Sequence, residues 1–193
     1  LYNQPSEKAK SIPLYLAIVK DHEKDAQAPQ ALYNASFTAL EIGQHGQGLK
    51  HASEFLQKYK QDALVPDVTF VAAECHLLSK QYPEAAAKYS DLIKAFGENA
   101  AIPKWKLRLG LIEFLQKKYD ATIKSLTPVL EELKAPEQLA EANFLIGASQ
   151  LNLEKYDEAV KALEAAGKAS GDWRQADEVL LNLARAYRCL LYT

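Results

Sequence analysis

The chain has 193 residues, 48% hydrophobic and 25% charged, with 23 basic against 25 acidic side chains and a formal charge of −2. That balance supports a folded core and excludes a disordered chain. Charges of both signs are interleaved throughout, which excludes the basic stripe that nucleic acid requires and the polybasic cluster that a membrane surface requires; no apolar run is long enough to span a bilayer.

Eight glycines and eight prolines stand against many Ala, Leu, Lys, Glu and Gln residues. Those side chains lose little rotamer freedom in a helix, so the chain is predicted to be all-α. In chain order, a first helix is expected near residues 6–21. Beyond it, Pro29, Pro66 and Pro103 recur at 37-residue steps. Each marks a helix start, where the missing N–H has no partner to lose. In "VTFVAAECHLLSK" and "KLRLGLIEFLQKK" the apolar residues fall three and four apart, which is one face of a helix. Tyr82, Tyr119 and Tyr156 repeat the 37-residue step in "YPEAAAKYSDLI", "YDATIKSLTPVL" and "YDEAVKALEAAG". So do five pairs whose second member is small: Ala35-Ser36, Ala72-Ala73, Leu109-Gly110, Ile146-Gly147 and Leu183-Ala184. Two helices of about fifteen residues and two short turns fill such a unit. The small residues Ala73, Gly110, Gly147 and Ala184 admit the second helix of a pair, and Ala85 and Ala159 admit the first.

The pattern predicts one array over 1–193 with about ten helices. Its parts are a partial repeat over 1–28, repeats over 29–65, 66–102, 103–139 and 140–176, and a terminal helix near 174–192 filling the segment 177–193. The chain begins at Leu1, has no methionine and shows no leader, so it reads as a piece of a longer protein.

With "LGLIEFLQKKYDATI", "IGASQLNLEKYDEAV" and "LNLARAY" the chain resembles the tetratricopeptide repeat (TPR) family. The unit of that family is a helix A carrying a large-small pair and a helix B opening on Tyr-x-x-Ala. The resemblance implies a right-handed superhelix of stacked pairs. Gly48 and Thr122 depart from the helix-B alanine, and His45 from the tyrosine. The 37-residue unit, with endings such as "FLQKYKQDALVPDV" and "LIKAFGENAAIPKW", looks like the TPR arrays of bacterial cell-envelope proteins. Among these are the lipoprotein of the outer-membrane assembly machine and the Tol-Pal coordinator. The resemblance thus favours a periplasmic or cell-envelope setting over the cytoplasm.

No catalytic group, metal site or cofactor is expected. Cys75 and His76 are sequence neighbours that diverge on a helix, and His76 stands where an aromatic packs on the next helix. His45 and His51 bracket "GQHGQGLKH", which lacks the Lys-Ser/Thr ending of a phosphate loop and a third metal ligand; it reads as a glycine-rich turn from helix A to helix B. Glu84, Asp157 and Glu158 suit helix N-termini, and Glu131-Glu132 falls on a helix surface. Cys75 and Cys189 read as two buried thiols, not a disulfide.

The resemblance implies that the A helices line a concave groove. Projected onto that face are Tyr33, Asn34 and Phe37; Phe70, Val71 and Glu74; Leu107, Arg108 and Leu111; Phe144, Leu145 and Ala148; and Leu181, Asn182 and Arg185. The chaperone-tail clamp of the family is not expected, because Tyr33 and Phe37 occupy its lysine and asparagine places and Arg108 alone matches. The expected function is a non-catalytic scaffold that takes a protein helix or extended peptide in an apolar groove at Tyr33, Asn34, Phe37, Phe70, Glu74, Leu107, Arg108, Leu111, Phe144 and Arg185. The same side chains have an alternative use, packing between adjacent A helices. Two other roles stay open: self-association through Leu180, Leu183, Tyr187, Leu190 and Leu191 of the uncovered last helix, and service as a helical regulatory domain of a larger enzyme.

Overall fold

The computed structural model describes residues 5–170 and 173–191, and the regular elements among them are helical. Residues 1–4 and 171–172 and the last two residues of the expected terminal helix lie outside the described residues. The expected first helix is divided at Lys10 into α1 (Pro5–Ala9) and α2 (Ser11–Asp21). Four helix-turn-helix pairs follow: α3 (Ala28–Glu41) with α4 (His45–Lys58), α5 (Val65–Leu78) with α6 (Tyr82–Ala95), α7 (Ile102–Leu115) with α8 (Tyr119–Leu126), and α9 (Pro136–Asn152) with α10 (Tyr156–Ala169). The last helix is α11 (Ala176–Leu191).

Pro29, Pro66 and Pro103 each fall in the first turn of an A helix, where an N–H would lack an intrahelical acceptor in any case. Every A helix that leads to a B helix ends in the same way. Gly43, Lys80, Lys117 and Glu154, spaced by 37 residues, adopt the left-handed conformation with φ of 79°, 60°, 60° and 61°. In the first turn the Gly43 N–H bonds the Leu40 carbonyl at 3.1 Å and the Gln44 N–H the Ala39 carbonyl at 2.8 Å. The matching pairs recur from Lys80 to Leu77 and Gln81 to His76, from Lys117 to Phe114 and Lys118 to Glu113, and from Glu154 to Leu151 and Lys155 to Gln150. This double closure satisfies the last helix carbonyls and turns the chain back within a few residues.

Close approach of each pair depends on small residues on both sides. Gly48, Ala85, Thr122 and Ala159, again 37 apart, are buried in their B helices. A Cβ on Gly110 would lie 2.4 Å from Leu126, and one on Gly147 would lie 2.7 Å from Leu163. Such contacts leave no room for a side chain without overpacking. Two expectations are corrected at this level. The glycine-rich "GQHGQGLKH" is not a turn beyond Gly43-Gln44: α4 begins at His45, and Gly48 lies inside it because a Cβ there would press on Cys75 Sγ at 2.8 Å and the Ser36 carbonyl at 3.2 Å. The third B helix has eight residues instead of about fifteen. Pro128 lacks an N–H and clashes with the preceding turn, so the chain passes into a 3₁₀ turn over Thr127–Val129.

The chain divides into two compact units, 1–97 and 98–193. The first has a core of Val19, Ala31, Leu32, Ala52, Phe55, Val68 and Ala72. The second is built around Leu107, Leu126, Val129, Leu133, Leu145, Ile146, Leu163 and Val179. Each unit has its own core, as happens when helix pairs bury their apolar faces only against neighbours.

Candidate protein-binding site

In the first unit, α3 and α5 are packed neighbours and carry five of the expected groove residues. One turn of α3 separates Tyr33 from Phe37, and their rings stack with centroids 5.9 Å apart and planes 25° from parallel. Phe37 is the outer member, 38% exposed. Burial, with Asp67 adding, raises the Tyr33 hydroxyl pKa above its ordinary value, so Tyr33 stays neutral beneath it. Asn34 accepts a hydrogen bond from Gln30 Nε2 at 2.9 Å. On α5, Phe70 and Glu74 both serve Tyr89 of α6: Phe70 meets its ring edge-on at 6.0 Å, and Glu74 Oε1 accepts a hydrogen bond from its hydroxyl. Phe70 and Glu74 thereby hold helix A to helix B, while Tyr33 and Phe37 present an aromatic surface.

The second unit distributes the expected residues differently. Leu107 is 1% exposed among Leu126 and Val129, and Phe144 is 5% exposed with its ring against Trp173 at 5.5 Å. Leu107 is a core residue, and Phe144 shows only an edge. Arg108 Nη1 donates to Glu141 Oε1 at 2.8 Å, bridging α7 and α9. Leu111, Phe144 and Arg185 do converge, on a cleft of about 370 Å³ between α7, α9 and α11. Its apolar part comes from Leu111, Phe114 and Leu115 of α7 and from Phe144, Leu145 and Ala148 of α9. The polar part comes from Glu141 and Asn152 of α9, from Gln175, and from Glu178, Asn182 and Arg185 of α11. The expected apolar groove is therefore, in this unit, a cleft with a mixed wall. Glu141 and Asn152 were missed by the sequence reading. Continuing the α9 stripe Phe144, Leu145, Ala148 by three residues backward and four forward finds both.

The residues weighed for chemistry are placed apart. Cys75 is buried, its thiol pushed up to about 11 by burial with Glu74 adding, which leaves no thiolate for nucleophilic attack. His76 is half-buried, and its Nδ1 is hydrogen-bonded to Gln81 Oε1 at 2.7 Å. Neither Cys75 nor Cys189 is in a disulfide, and Cys189 is only half-buried, contrary to the expectation of two buried thiols. Among the described residues no group of three or more His, Cys, Asp or Glu side chains is placed to hold a metal, and no helix is long and apolar enough to cross a membrane.

No family model and no curated protein matches the chain. Solved structures do. MamA superposes with a TM-score of 0.69 at 16% identity, over 85% of this chain and 89% of MamA. TTC0263, a thermophilic TPR protein of Thermus thermophilus, gives 0.62 at 17% identity, over 94% and 91%. YrrB, a TPR protein with an unusual peptide-binding site, gives 0.64 at 16% identity, over 90% and 82%. Identities this low speak to fold alone, and with the repeated helix pairs and their identical turns they show that the chain has the all-α TPR fold.

Proposed function

We propose that this chain is a non-catalytic protein-binding module that takes a peptide segment in the cleft between α7, α9 and α11. The observation that carries the reading is the composition of that wall. Leu111, Phe114 and Ala148 offer an apolar floor, while Glu141, Glu178 and Arg185 set charges of both signs around it. A helix or extended segment with an apolar anchor and flanking polar groups suits such a surface. The stacked Tyr33 and Phe37 of the first unit supply a second contact patch. Peptides selected by display panning against the chain test this. Arg185→Glu, a change at an exposed side chain, is expected to weaken the selected peptides at least about tenfold with melting unchanged. Selected peptides that bind this variant and a cleft-filling Asn152→Trp as well as they bind the parent would overturn it.

A second reading is favoured by a specific observation: Leu180, Leu181, Tyr187 and Leu191 of α11 are all exposed. A face of that kind serves self-association. The compartment reading, periplasm or cell envelope, is supported by the 37-residue unit and its endings alone. Cell fractionation with immunoblotting tests it, and a wholly cytosolic pool refutes it.

A further inference from the structure

We propose that the face shared by α3 and α5 takes an arginine side chain of a basic peptide, its guanidinium lying on the stacked rings of Tyr33 and Phe37 and its charge facing Asp67. The proposal rests on the reading of the chain as a protein-binding module and gives a chemistry to its second contact patch.

The charge of these two helices is one-sided. Packed together, α3 carries Glu41 and α5 carries Asp67 and Glu74, and neither helix has a lysine or an arginine. The acidity is not general to A helices, because α7 has Lys104, Lys106 and Arg108 against Glu113. Two of the three carboxylates are engaged: Glu74 accepts from the Tyr89 hydroxyl, and Glu41 pairs with Lys8 Nζ at 2.9 Å. Asp67 is exposed, and its side chain enters no hydrogen bond or ion pair among the described residues. Its place in the first turn of α5 suits the helix dipole, a use that does not occupy its oxygens. It lies close enough to Tyr33 to add to the raised pKa of that hydroxyl.

The face of an aromatic ring is electronegative, so exposed stacked rings beside a carboxylate form a surface for a cation. Phe37 gives one face to Tyr33 and is still 38% exposed. An aliphatic side chain would cover the same rings, but it would strip water from Asp67 without returning a partner to it. Arginine meets both demands. Its guanidinium is planar, weakly hydrated and able to stack on a ring, and its fork of N–H donors suits a carboxylate; the ammonium of lysine is compact and strongly hydrated. The chain itself already sets one cation, Lys8, on the far end of α3.

The probe is a capped glycine-serine peptide carrying two arginines, titrated into the chain with its Tyr and Phe rings isotopically labelled. It is expected to move the Tyr33 and Phe37 NMR signals and to bind at least about fivefold more tightly than a citrulline twin, which keeps the shape and loses the charge. Phe37→Leu keeps an apolar side chain at an exposed position and is expected to weaken the arginine peptide about threefold. Asp67→Asn is expected to weaken it about twofold and to flatten its salt dependence. Circular dichroism checks that both variants keep the fold. Equal binding of the citrulline peptide overturns the proposal. So does an arginine peptide that is weakened by Glu178→Gln in the cleft and untouched by Phe37→Leu, since its cation then enters the cleft instead. If the arginine peptide does not bind while display-selected peptides remain sensitive to Arg185→Glu, the cleft reading stands and the arginine site alone is refuted. If both fail, the protein-binding reading falls with it.

Discussion

His51 shows how a single buried side chain makes stability depend on pH. It is 6% exposed in α4, its Nδ1 has no hydrogen-bond partner, and burial lowers its pKa below the ordinary imidazole value, with Glu54 opposing and Lys50 assisting. The unfolded chain therefore binds a proton here, near pH 6.5, before the folded chain does. Stability is fully present above that pH and falls as pH drops toward the folded value. Thermal melts at pH 7.5 and 5.5 are expected to differ by less in His51→Leu than in the parent; an unchanged difference would mean that the slope arises elsewhere. Residue-level burial was only partly legible. Phe37 and Phe144 are the same residue type on the same projected face, yet only Phe37 is exposed. What separates them is Trp173, which lies 29 residues beyond Phe144 in a connecting segment that carries no periodic signal.

Between helices, the turns carry a conformational cost that can be measured. Lys80, Lys117 and Glu154 hold φ near 60°, where a Cβ is crowded and glycine is not. Lys117→Gly is expected to raise stability by about 0.5–1 kcal/mol, read as a higher urea midpoint at constant slope. A lowered midpoint would mean that the lysine side chain contributes more than the strain. The helix pairs themselves were legible because proline, tyrosine and the small pairs each repeat at the same interval. The shortened α8 was not. The tyrosine register continues undisturbed through Tyr119 and Tyr156 while Pro128 ends the helix between them, and α9 then begins at Pro136, ahead of the repeat boundary drawn at 140. A repeat signal reports which residues meet, and a local backbone rule decides how long each helix runs.

At the scale of the molecule, two cores imply that damage stays local. Leu163 of α10 is fully buried in the second unit, and Leu163→Ala is expected to cost about 2–5 kcal/mol through the cavity it leaves. Hydrogen exchange is expected to accelerate across α9 and α10 and to remain slow in α3 to α5. Uniform acceleration would show instead that the chain unfolds as one cooperative body. The division into units had no counterpart in the sequence, because the 37-residue interval runs through residues 97 and 98 without a break. The four left-handed turns have a further consequence. Each presents the same incoming and outgoing backbone, so a cut after Lys80 and a rejoining at Lys118 recreate the junction that Lys117 makes now. The molecule is written in interchangeable words of 37 letters, and recombination between copies of its own gene can shorten or lengthen it by whole words without inventing a new joint.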